Sequence, residues 1–164
     1  MYGNNLIAGI FTLACFIMLI PSLGTAQTGD VKASMATLKA ETDKLGDPEL
    51  KGSDLYFGNN KADKSIVANV MQKHAMKNNN GAVTIFVKNG DQYVRVLTTV
   101  KKEDGTRAVG TPLDANNPAI AKLNNGEAYY GDATVFGKTY DAGYEPIKDA
   151  SGAVIGAYFV GYAK

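Results

Sequence analysis

The sequence predicts an α+β domain: a five-stranded antiparallel sheet with a long N-terminal helix and helices covering one face. Three observations predict it. Apolar residues recur at helical spacing between Gly29 and Lys77, and from Ala82 onward β-branched and aromatic runs are separated by Asn-Gly, Asp-Gly and Ser-Gly turns. The only cysteine, Cys15, falls in a leading apolar run. Whatever follows must therefore be held by a packed core and not by disulfides. A chain of 164 residues has room for one domain, of a size that buries about two-thirds of its unfolded surface.

Residues 1–26 contain no Asp, Glu, Lys or Arg, whereas all 17 basic and 16 acidic side chains come later. The apolar run "LIAGIFTLACFIMLIPSLGTA" ends with small Gly24 and Ala26 before polar Gln27, the pattern of a secretory signal cleaved after Ala26. The leading "MYGNN" lacks the usual positive charge. An uncleaved inner-membrane anchor over residues 6–23 is the alternative. The expected mature domain is 27–164, periplasmic or secreted, with neither disulfide nor thiol nucleophile.

Within it, Val31, Met35, Leu38 and Leu45 mark one amphipathic helix ending near Gly46–Pro48. "SDLYFGNN" reads as a loop. Ile66, Val67, Val70 and Met71 mark a second helix, which also carries His74 and stops at "NNNG". "AVTIFVKNGDQYVRVLTTV" is a hairpin turning at Asn89-Gly90, where a type I′ turn needs positive φ at both central positions. "KKEDGTR" turns at Asp104-Gly105, and "NNPAIAKLNNG" is a short helix. A three-stranded meander then runs through "EAYYGDATVF", "KTYDAGYEPI" and "AVIGAYFVGY". This order of elements is that of a PAS-like sheet whose hairpin-to-meander connection arches over it and leaves a small pocket.

Enzyme chemistry has little to stand on. His74 is the only histidine, and no G-x-S-x-G, H-E-x-x-H, C-x-x-C-H or Walker loop occurs. "KEDGT" lacks the oxygen ligands of a calcium loop. No metal or other cofactor is expected. Acids and bases nearly balance with no basic stripe, so nucleic acid has no electrostatic handle.

Only two of the 17 bases are arginine, Arg95 and Arg107. In "QYVRVLTT" alternation places Tyr93, Arg95 and Leu97 on one face and Val94, Val96 and Thr98 on the other. Either the valine face is core and Arg95 points to solvent, or the Arg95 fork faces a pocket and grips a carboxylate. Tyr140 and Tyr144 share a face with small Ala142 between them, spacing suited either to lining a cavity or to core packing. Tyr158 and Tyr162 do likewise around Val160. Tyr129 and Tyr130 face opposite ways, and Lys138 opens its strand as a solvated charge.

The pieces "FVKNGDQYVRV", "KKEDGTRAVGT", "YYG", "FGKTY" and "GYEPIKDASGAVIG", in this order, resemble single Cache domains of the Cache 3/Cache 2 fusion type, the extracytoplasmic sensor modules of bacterial chemoreceptors and sensor kinases. The resemblance implies a PAS-like fold and a pocket for a small organic acid or amino acid. It favours pocket roles for Arg95, Tyr130, Lys138, Tyr140 and Tyr144. It also implies partners: a membrane receptor or sensor kinase involved in chemotaxis or signal transduction, and a second copy docked through the N-terminal helix. Family members usually continue into a transmembrane helix and a signalling domain, so a chain ending at Lys164 is expected to bind without signalling inward itself. The competing expectation is a structural or protein-interaction module with a vestigial pocket.

Overall fold

The five β-rich runs form one antiparallel sheet, as predicted, in a computed structural model that describes residues 30–62, 64–73, 76 and 80–164. The leader with Cys15 and Gln27, and His74, lie outside the described residues. The elements are α1 (Val31–Asp43), β1 (Pro48–Lys51), β2 (Asp54–Phe57), β3 (Asn60–Lys61), α2 (Lys64–Lys73), β4 (Gly81–Asn89), β5 (Gln92–Thr98), α3 (Ala119–Asn124), β6 (Tyr129–Val135), β7 (Lys138–Lys148) and β8 (Val154–Ala163). The main sheet runs β5-β4-β8-β7-β6. No helix among the described residues is long and apolar enough to cross a membrane.

Asp30 starts α1: its side chain accepts a 3.0 Å bond from the Ala33 amide, a cap worth about 1 kcal/mol. The helix buries Val31, Met35 and Leu38 along one stripe, and two hydroxyls on that stripe lock it to the sheet. Ser34 bonds the Tyr162 hydroxyl at 2.7 Å and Thr42 bonds that of Tyr158 at 2.8 Å. The paired tyrosines of β8 are thus anchors for α1 and do not line a cavity. Glu41, only 8% exposed, joins α1 to α2 through Lys73 and Asn69 while also holding Lys44.

The stretch "SDLYFGNN", expected as a loop, belongs to a small antiparallel sheet, β1-β2-β3, within residues 48–61. Leu55 and Phe57 alternate into the core there, and Phe57 stacks on Tyr158 with ring centroids 6.3 Å apart. A four-residue strand carries too short a period to be read from sequence alone. The β4–β5 hairpin is present, but its turn lies one residue later than expected. Asn89 pairs with Gln92, and Gly90 has φ +57° while Asn89 and Asp91 do not have positive φ, an arrangement of type II′ with glycine first.

A β-bulge shapes β5. Ile85 pairs with Leu97 and Phe86 with Arg95, so Val96 is one residue extra. Simple alternation had put Leu97 beside Arg95. The bulge sends Leu97 into the core under the helices and turns Thr98 to the Arg95 side, where it bonds Thr84 at 2.7 Å.

The sheet therefore separates two cores. α1, α2 and the small sheet cover one face with Met35, Leu38, Leu55, Ile66 and Val70. Residues 99–128, including α3, cover the opposite face and do not complete the first layer as expected. There Leu113, Ala119 and Leu123 pack on Phe86, Tyr93, Tyr144 and Phe159. The connection is laced to the outer edge of β5 by Arg95 N to Thr111 O, Gly110 N to Arg95 O and Leu113 N to Tyr93 O. That lacing satisfies an otherwise open strand edge.

Candidate functional site

Arg95 lies beneath this connection with only 4% of its surface exposed. Its Nη1 donates to Pro112 O at 2.6 Å and Thr111 Oγ1 at 3.0 Å. Its guanidinium carbon lies over the rings of both Phe86 and Phe136, 5.1 Å from each centroid. No carboxylate among the described residues forms an ion pair with it, and Nε is buried with no hydrogen-bond partner. Burial pulls its pKa down from the usual arginine value, because a charge without solvent or counter-charge is costly.

Tyr144, fully buried on β7, belongs to the same core. Asn117 donates to its hydroxyl at 3.2 Å, and Asn117 is itself held by accepting from the Ala119 amide at 3.0 Å. Burial raises the Tyr144 pKa to about 12, against the opposing effects of the Asn117 bond and the Arg95 charge. The phenol is therefore protonated at any physiological pH. Among the described residues its proton meets no acceptor, so it can donate to a ligand. Its ring packs on Phe159 at 4.8 Å and Tyr129 at 6.2 Å.

Phe136 closes this region from outside. It occupies the β6–β7 turn with φ +47°, followed by Gly137 at +75°, and the residue is 43% exposed. A bulky residue in the left-handed region is an outlier, and such strain collects at functional positions. Phe136 also lines an open recess of about 750 Å3 with Lys101, Lys102, Lys138, Tyr140 and Lys164. A second recess of about 250 Å3 opens beside Asn117, between Asp114 and Asp132. Its acids disfavour an anion approaching from that side.

The structure thus brings Arg95, Tyr140 and Tyr144 to one face of the sheet and leaves Lys138 at the rim, exposed. Tyr130 does not join them. Alternation along β6 turns Tyr129 toward Tyr144 and sends Tyr130 to the opposite face, where it donates to Glu145 at 2.5 Å and Lys32 lies 5.4 Å over its ring. Burial and the Glu145 bond both push its pKa up. With Lys39 bonded to Glu145 at 2.6 Å, Tyr130 belongs to the seat of α1. Phe86, Asn117 and Phe136 were missed as candidates. Only Phe136 left a sequence signal, a bulky residue beside glycine where a tight turn favours Asn or Gly.

A five-stranded antiparallel sheet with a long helix on one face, and a connection folded over a buried charge on the other, defines a PAS-like sensor domain. Residues 28–164 match the Cache 3/Cache 2 fusion domain, and the chain belongs to that family. It is thereby an extracytoplasmic sensory module of a ligand-binding, non-enzymatic kind. A comparison with curated proteins found no match.

Proposed function

We propose that the domain senses a small carboxylate-bearing molecule held at Arg95 and signals its occupancy through a membrane receptor or sensor kinase. The observation that carries this reading is the buried guanidinium, which has no counter-charge among the described residues. An unpaired internal charge costs several kcal/mol unless something compensates it, and here only neutral carbonyls, a hydroxyl and two ring faces do so. A ligand carboxylate would supply the missing charge and take the free part of the fork, with Tyr144 donating a further bond. Lys101 and Lys138, the recess lysines without an ion pair among the described residues, would draw the anion in against Glu103, and displacement of Phe136 would admit it.

The test is a thermal-shift and calorimetric screen of the full chain against small carboxylates and their amides. A carboxylate at 100 times its dissociation constant should stabilise the fold by about 2.7 kcal/mol. Arg95→Met should weaken binding tenfold or more, about 1.4 kcal/mol, while the ligand-free variant melts no lower than wild type, because an uncompensated charge has been removed. A variant that binds normally, or that unfolds for want of the Thr111 and Pro112 bonds, would assign Arg95 to structure alone.

A further inference from the structure

Across the sheet from the Arg95 core, a groove of about 720 Å3 lies between α2 and the edge strand β5. Its walls are aliphatic, formed by Val67, Met71, Val96 and Leu97, with Val109 standing 53% exposed beside them. Three cations also line it: Lys64, Lys101 and Arg107. No acidic residue lines it among the described residues. Eight other lysines, on all three helices, the small sheet and the segments outside them, lie within ion-pair distance of a carboxylate. These three cations do not, among the described residues.

Two of them are set against each other. Lys101 and Arg107 are direct partners in an isolated antiparallel bridge, where like charges repel. Arg107 Nη1 donates to Thr98 O at 2.7 Å, which holds its stem along the groove and leaves the rest of the fork free. An anion between the pair would relieve the repulsion and accept from both.

We propose that this groove binds a medium-chain aliphatic carboxylate, with the head group between Lys101 and Arg107 and the tail on Val67, Met71 and Val96. The cavity has the size of small-ligand sites, ~300–1,000 Å3. The pairing of an apolar wall with an unpaired cationic end selects an amphiphilic anion over a polar acid or a neutral lipid. Arg95 does not line this groove, although Lys101 lines both it and the recess beside Phe136.

The test is calorimetric titration of the full chain with hexanoate, octanoate, decanoate and decanol, each below its aggregation concentration. Each buried methylene should tighten binding about fourfold, so two added carbons should give roughly fifteenfold. Decanoate should saturate one site, decanol should bind at least tenfold more weakly, and Arg95→Met should bind decanoate like wild type. The double variant Lys101→Gln/Arg107→Gln should lose tenfold or more. Val109→Asp, at an exposed position that leaves the fold intact, should lose affinity as well. No saturation, equal binding of decanol, indifference to the groove variants, loss of binding in Arg95→Met that melts like wild type, or binding only to anionic vesicles would each overturn the proposal.

Discussion

Arg95 and Phe136 set the behaviour of the site residue by residue. Phe136 holds φ +47°, which costs a non-glycine residue roughly 1–2 kcal/mol, and its ring lies against a guanidinium that no acid among the described residues pairs with. Phe136→Gly should relieve the backbone strain and uncover Arg95 together. The expected outcome is ligand-free stability within about 1 kcal/mol of wild type and a faster association rate in stopped-flow mixing; an unchanged rate would mean that Phe136 is no gate. Glu41 makes a separate prediction about pH. Its bonds to Lys44 and Lys73 hold its pKa down at about 2, from 4.5. A depressed carboxylate contributes stability that is complete above its unfolded value and is lost as pH falls toward the folded one. Acid melts should therefore show wild type losing stability between pH 4.5 and 2, with Glu41→Gln flatter across that window.

Individual elements reward the same reading. Strand β8 is central, and at Gly156 it passes so close to β4 that an added Cβ would stand 2.3 Å from the Phe86 carbonyl oxygen. Backbone cannot step aside as a side chain does. Gly156→Ala should thus cost at least 2 kcal/mol in urea unfolding, about the upper range for overpacking, and should also disturb the Phe86 contact with Arg95. A cost below 0.5 kcal/mol would show that the strands can separate locally. Much of each element was legible beforehand, because α1, the β4–β5 hairpin and the three-stranded meander each carry their period over enough residues to be recognised. The bulge at Val96 was not legible. It depends on how β4 and β5 are paired, and a single strand's alternation holds no record of a residue inserted against its partner.

Across the whole molecule, the two faces of one sheet are divided between two tasks: α1 and α2 seal one side, and the 99–128 connection encloses Arg95 on the other. His74 lies outside the described residues, and among those described no group of three or more His, Cys, Asp or Glu could hold a metal ion. Adding a chelator should accordingly leave the melting temperature unchanged, whereas a substantial drop would reveal a metal that the fold requires. By itself the sequence determined the class of fold, the order of its elements and the unusual arginine in a β-run, because periodicity, turn chemistry and residue type are local properties. Tertiary structure decided which tyrosines meet that arginine. Tyr130 and Tyr144 are both strand aromatics of the meander, yet the pairing of Tyr130 with Gly143 and of Tyr144 with Tyr129 puts their rings on opposite sides of the sheet. A side chain's face follows from its position in the strand, but what covers that face is set by segments distant in the chain.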